Sequence, residues 1–218
     1  MDEQIKISVI LSFYNTEIAL LKRAIDSVIK QRFKGFELLI VNDGSEINIE
    51  PALKSYLSNT TLSIKYFSHE NIGQSFSINE LVPMCQGEYI TILDADDEYK
   101  PNHLSACLNE MQHADLIASN AEIIVDTPDD YFVIDKYNKE KKIHVDECIL
   151  FATLFGKKEI FKKHQFKKMY SADSEFFDAV SKEFIVKKVN LRTYIYYRNN
   201  PNSICSNYKN EQTKVTSK

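Results

Sequence analysis

Apolar and polar positions alternate along this chain in two periods, and each change of period marks the passage from strand to helix. Residues 5–11 read as a buried strand that runs into Ser12-Phe13-Tyr14-Asn15. Leu21, Ala24, Ile25, Val28 and Ile29 then recur at helical spacing, with Lys22, Arg23, Asp26 and Lys30 on the opposite face. A second strand over 37–41 ends in Asn42-Asp43-Gly44-Ser45, helical spacing returns over 53–57, and 63–67 is a third strand. Asn71-Ile72-Gly73 reads as a turn before a short helix that Pro83 limits. A strand over 87–93, a helix near 102–111 and a strand over 115–119 follow.

Beyond about residue 120 the pattern loosens. Residues 126–142 are charged and turn-rich and read as an excursion or flap. Residues 155–161 and 172–181 read as helical pieces, 185–189 and 193–197 as strands, and 207–218 as a polar tail. With no internal repeat and no separating linker, a single domain is expected over 1–206, with a first half at 1–120 and a second at 121–206. Strands alternating with helices predict an α/β fold with a mostly parallel central sheet flanked by helices. Ligands of such sheets bind outside the carboxyl ends of the strands. Ser12 to Tyr14, Asp43 and Asp94 to Asp97 all fall at such ends, so they should share one rim.

The acidic end is the most informative. Tyr89, Ile90, Ile92 and Leu93 lead straight into Asp94, Asp96 and Asp97, and Pro101 opens the next helix. Carboxylates crowded against an apolar strand repel one another and resist desolvation unless a cation sits among them. Asp94, Asp96 and Glu98 match the first ligand positions of a calcium-binding EF-hand loop. Its sixth position would be Tyr99 instead of glycine and its twelfth Ser105 instead of glutamate, so that reading fails. A strand-end Asp-x-Asp suits Mg²⁺ or Mn²⁺ completed by substrate phosphates and water, with the choice among Asp94, Asp96 and Asp97 open at this point.

Composition narrows the partners. A net charge of −4 leaves no basic footprint for a nucleic acid, and no apolar run reaches the length of a membrane span. The four cysteines, at 85, 107, 148 and 205, form no Cys-x-x-Cys pair and read as reduced thiols of a cytoplasmic protein. The sequon at Asn59 then carries no meaning. There is no Gly-x-Gly-x-x-Gly and no glycine-rich lysine loop, and only five glycines in all. Phosphates must therefore be held by a metal and by side chains.

Four stretches occur in order: Ile7-Ser-Val-Ile-Leu-Ser-Phe-Tyr-Asn15, Val41-Asn-Asp-Gly-Ser45, Glu70-Asn-Ile-Gly73 and Gly87-Glu-Tyr-Ile-Thr-Ile-Leu-Asp-Ala-Asp-Asp97. Together they resemble the family 2 glycosyltransferases, inverting enzymes of GT-A fold that use nucleotide-diphospho-sugars. The resemblance is strong over the first half and weaker over the second, and it implies that 1–120 is the nucleotide-sugar-binding half and 121–206 the acceptor-side half. It implies that Ser12 and Tyr14 line the nucleotide base, that Asp43 bonds it, and that Asn71 and Gly73 approach the nucleoside. It places Asp94 near the ribose, Ala95 within the motif, and Asp96 on the metal that bridges the diphosphate. Ala172-Asp173-Ser174-Glu175-Phe176 falls where relatives carry the catalytic base, which makes Asp173 the expected base and Glu175 the fallback. Tyr197-Arg198-Asn-Asn-Pro-Asn-Ser203 resembles the terminal segment, with Arg198 towards the diphosphate. The chain departs from the pattern at Ser12, where proline is usual, and at Ile78, where an arginine often contacts the diphosphate. It departs again at Ala172, which replaces glutamate, and at Asn200, which replaces histidine.

The expected activity is metal-dependent transfer of a sugar, from a UDP-sugar by family habit, to the hydroxyl of a surface-polysaccharide or glycolipid precursor. That places the protein in the cytoplasm, with peripheral access to the inner face of the membrane. The competing reading is a catalytically inactive nucleotide-sugar-binding relative that scaffolds or regulates another transferase, motivated by Ile78 and Ala172. A sugar nucleotidyltransferase is disfavoured, because residues 12–16 lack the glycine- and arginine-containing loop of that class.

Overall fold

The computed structural model describes residues 4–200 other than 59, 136, 139 and 170. The polar tail over 207–218, Cys205, Asn59 and residues 201–203 of the terminal segment lie outside the described residues. In chain order the first half contains β1 (Ile7–Phe13), α1 (Ile18–Ile29), β2 (Phe36–Asp43), α2 (Glu50–Leu57), β3 (Ser63–His69) and α3 (Gln74–Leu81). It continues with β4 (Tyr89–Asp94), β5 (Glu98–Tyr99), α4 (His103–Glu110) and β6 (Leu116–Ser119). The second half adds β7 (Glu122–Ile124), β8 (Phe132–Ile134), β9 (Lys142–His144), β10 (Leu154–Lys157), α5 (Lys158–Lys163), α6 (Ala172–Val180), β11 (Val186–Val189) and β12 (Tyr194–Tyr197).

Seven strands form the central sheet in the order β11-β6-β10-β4-β1-β2-β3. Every pairing is parallel except the two made by β10, which runs antiparallel to β4 and β6. Both chain halves thus contribute to one sheet. Strands β1 and β2 are buried along their whole length, as expected of central strands covered on both faces. One face carries Val9, Leu11, Leu38 and Leu93 against Leu21, Ala24, Ile25 and Val28 of α1 and Leu104 of α4. The other carries Ile10, Leu39, Val41 and Ile92 against Ile78 of α3, Phe161 of α5 and Phe176 of α6. The result is the α/β layering that the alternating pattern predicts.

One predicted element is overturned. Residues 155–161 read as a helix, but Leu154–Lys157 is strand β10, and only Lys158–Lys163 is helical. The reason is tertiary: Phe155 sits between Thr91 of β4 and Ile117 of β6, where a buried strand completes the sheet. A segment of four residues is too short to show a periodicity by which to choose between helix and strand. The predicted excursion over 126–142 contains a 3₁₀ turn, Pro128–Tyr131, and β8, which pairs antiparallel with β9. Sequence reading also missed a second, three-stranded sheet, β5-β12-β7, which rises immediately after the acidic strand end.

Candidate functional site at the carboxyl ends of the strands

The register brings the predicted clusters to one rim. Ser12 of β1 pairs with Asp94 of β4 on one side and Val41 of β2 on the other, and Phe13 pairs with Asn42. Ser12 is buried, while the Tyr14 ring beyond it stands half-exposed over the rim. The loops after β1 and β2 clasp each other: the Asn15 amide donates to Ser45 Oγ (2.9 Å), and the Glu46 amide donates to Asn15 Oδ1 (2.9 Å).

Asp43 has a structural task that its motif does not reveal. Its two carboxylate oxygens accept the Ile72 and Gly73 amides at 2.8 and 2.9 Å, and its carbonyl accepts from Asn71 Nδ2 at 2.9 Å. A carboxylate accepting two backbone N–H groups fixes a turn firmly. The turn in question is Asn71-Ile72-Gly73, which opens α3. Gly44 makes the approach feasible: its φ is +73°, and a Cβ there would stand 2.4 Å from the Asn71 nitrogen.

The three aspartates after β4 take different directions. Asp94 accepts from Gln74 Nε2 at 2.6 Å, and Asp96 accepts from Asn200 Nδ2 at 2.7 Å. Ala95 between them is buried. Asp97 turns inward instead. Only 1% exposed, it accepts the Tyr194 hydroxyl at 2.5 Å and the Tyr197 amide at 2.8 Å, which pins β12 to the acidic turn. Burial, reinforced by Asp94 and Asp96, raises its pKa well above the usual carboxylate range. Asp97 is thus committed to the core, and the open pair is Asp94 and Asp96. Arg23 backs the turn from α1, donating to the Asp96 carbonyl, pairing with Glu98 at 3.4 Å and lying over the Tyr197 ring.

Burial, then the charges of Asp96 and Asp173, push the Asp94 pKa up to about 7. Asp173, in the first turn of α6, is therefore an electrostatic neighbour of the strand-end pair although 79 residues separate it from Asp94 in the chain. Its Oδ1 accepts the Ser174 amide at 2.7 Å. Glu175, one turn position further on, is held by an ion pair to Lys167. Arg198 follows β12; its amide donates to the Ile124 carbonyl, its guanidinium lies 5.7 Å from the Tyr196 ring centroid, and its Nε is buried with no hydrogen-bond partner. Ser12, Asp43, Asp94, Asp96 and the Asn71–Gly73 turn are therefore brought together, with Asp173 coupled to them.

Gln74 is a candidate-site residue that sequence reasoning missed, since it follows the glycine turn with nothing local to mark it. Asn200, read in the sequence only as a departure from histidine, bonds Asp96.

Asp94 and Asp96 fit a hard divalent cation. Both are carboxylates, their described hydrogen-bond donors are neutral amides, and neither forms an ion pair among the described residues. No group of three or more His, Cys, Asp or Glu side chains forms a full metal cage among those residues. Two protein carboxylates leave the other coordination positions to phosphate oxygens and water, the usual pattern for Mg²⁺.

The same fold recurs elsewhere. The family model described as "Glycosyl transferase family 2" matches residues 8–194. An uncharacterized glycosyltransferase of Rickettsia typhi is 34% identical over 142 residues, 62% of this chain and 43% of that protein, so the chain spans less than half of that relative. Among solved structures, S. aureus TarS 1–349 in complex with UDP-GlcNAc superposes with a TM-score of 0.69 at 19% identity, over 88% of this chain and 58% of that one. The mannosyltransferase PcManGT from Pyrobaculum calidifontis, in complex with GDP-Man and Mn²⁺, gives 0.68 at 16% identity, over 89% and 57%. At these identities the structural likeness is one of fold, and that fold is the GT-A arrangement. With most of its length matched by the family model, the chain belongs to glycosyl transferase family 2.

Proposed function

We propose that this chain transfers a sugar from a nucleotide-diphospho-sugar to an acceptor hydroxyl, with inversion, using Mn²⁺ or Mg²⁺. The observation that carries the reading is the pair Asp94 and Asp96, with Asp173 as an electrostatic neighbour, at the rim where Ser12, Tyr14 and the Asp43-braced turn leave the sheet. Ser12, Tyr14, Asp43, Asn71 and Gly73 form the nucleotide end. Asp94, Ala95 and Asp96 form the diphosphate end, and Arg198 adds positive charge from β12. A divalent cation held there would supply electrostatic stabilisation of the leaving diphosphate.

Asp173 takes the acceptor proton as the hydroxyl attacks the anomeric carbon from the face opposite the leaving group. General-base assistance of this kind is worth ~10²–10⁴-fold. Glu175 is the weaker choice because Lys167 already holds its carboxylate. Gln74 and Asn200 orient the two strand-end carboxylates without adding charge. The acceptor is a hydroxyl of a surface-polysaccharide or glycolipid precursor, consistent with work in the cytoplasm or at the inner membrane face. Among the described residues no helix is long and apolar enough to cross a membrane.

Two observations favour a second reading, a donor-binding protein without transferase activity: Ile78 is fully buried in the core, and Ala172 is 1% exposed. Calorimetric titration of UDP and GDP into the purified chain, with and without Mn²⁺, tests the donor site beside an Asp96→Ala variant. The expected result is Mn²⁺-dependent binding of one of the two, weakened at least about 100-fold in the variant. No binding of either nucleotide, or equal binding by the variant, would overturn the reading. Binding without transfer to any acceptor or to water would select the second one.

A further inference from the structure

From the last turn of α5 into the connection to α6 the chain carries Lys162, Lys163, Lys167 and Lys168 within seven residues of a protein whose net charge is −4. The segment is fixed on α3. Asn79 Nδ2 donates to the Phe166 carbonyl at 2.8 Å, the Phe166 amide donates back to Asn79 Oδ1 at 3.0 Å, and the Phe166 ring is buried. Two of the four lysines are already paired, Lys163 with Glu183 and Lys167 with Glu175. Lys168 is exposed and forms no ion pair among the described residues.

Its stem has a defined place. The Lys168 Cε lies 3.9 Å from where a Cβ on Gly73 would stand, and Gly73, at φ +93°, carries none. Gly73 donates its amide to Asp43, and the next residue, Gln74, reaches Asp94. The lysine stem therefore lies beside Gly73, in the turn between Asp43 and the Gln74 that reaches Asp94. On the donor-site reading the diphosphate lies at the acidic end of this turn, and Ile78 of α3 is fully buried and offers it no charge. Arg23 is engaged by Glu98 and by the Asp96 carbonyl. A flexible, unpaired ammonium suits phosphate as a point charge.

We propose that Lys168 is a donor-binding residue, whose ammonium contacts the diphosphate of the nucleotide-sugar from the α5–α6 segment. The inference rests on the donor-site reading above, and its failure can be told apart from failure of that reading. With Mn²⁺ present, dissociation constants for UDP and GDP, each beside its free nucleoside, would be measured for the native chain, Lys168→Gln, Lys168→Arg and Lys162→Gln. The diphosphate that binds the native chain is expected to bind Lys168→Gln about tenfold more weakly. Its nucleoside should bind unchanged, Lys168→Arg should restore most of the loss, and Lys162→Gln should match the native chain. Unchanged diphosphate binding by Lys168→Gln overturns the inference alone, as does equal weakening of diphosphate and nucleoside. Equal weakening by Lys162→Gln also overturns it, since it would reduce the effect to general surface charge. Failure of the native chain to bind either diphosphate overturns the inference together with the donor-site reading.

Discussion

The two rims of the central sheet both hold buried carboxylates, and they treat them in opposite ways. At the amino-end rim Glu37 is fully buried, and it accepts from Ser8 Oγ at 2.7 Å, the Gln86 amide at 2.5 Å and Lys65 Nζ at 2.8 Å. Its charge is matched and its oxygens are bonded, so it fastens β1, β2 and the approach to β4. At the carboxyl-end rim Asp94 and Asp96 receive neutral amides, and Asp94 is forced up to a pKa of about 7 by burial and by its acidic neighbours. One rim is complete in itself. At the other, no described cation side chain pairs with Asp94 or Asp96, and that lack of a matching charge is what the proposed metal site would use.

The comparison can be broken by substitution, beginning with the largest expected effect. Asp173→Asn should lower kcat by ~10²–10⁴-fold while the donor KM changes little, whereas Glu175→Gln should leave both nearly intact; steady-state kinetics decides between them. Glu37→Ala strands the Ser8 hydroxyl, the Gln86 amide and the Lys65 ammonium, and should cost about 3 kcal/mol in urea unfolding. Asp94→Asn should do the reverse. Without divalent cation it removes a poorly compensated charge and should raise stability at pH 8 by ~1 kcal/mol while impairing donor binding.

A last prediction concerns a neutral group under the carboxyl rim. His103 is buried, lies 2.8 Å from Thr193 Oγ1 and stacks on Tyr99, and burial lowers its pKa to about 3. The unfolded chain takes up this proton below about pH 6.5 and the folded one does not. The contribution is therefore fully present above about pH 6.5 and is lost as the pH falls towards 3. Relative to a His103→Gln variant, native stability should fall by about 2 kcal/mol between pH 7.5 and 5. Parallel pH dependences for the two proteins would show that His103 is not held neutral.

Much of this was legible in the sequence because it is local. The apolar run before Asp94 and the helical spacing of Leu21, Ala24, Ile25 and Val28 place strand and helix without help from distant residues. The fate of Asp97 was not legible, because Asp94, Asp96 and Asp97 are chemically alike. Only Tyr194, 97 positions downstream, draws one of them inward. Strand β10 failed for the same reason, its identity being decided by β4 and β6 on either side. Asp43 shows a third limit. A strand-end aspartate signals a polar contact, but the sequence did not reveal that two of its partners would be the amides of Ile72 and Gly73.

The bond from Tyr194 to Asp97 also sets an order of assembly. During synthesis β1, β2, β3 and β4 emerge and can pair while the acidic turn still lacks β12, the strand that holds one of its carboxylates. Loop closure over some hundred residues is among the slower steps available to a chain of this size. The acidic turn therefore lacks its β12 contacts until that strand has been made, and Asn200 must be translated before Asp96 can acquire its amide partner. A nascent chain halted before Tyr194 would hold most of the sheet and no finished site.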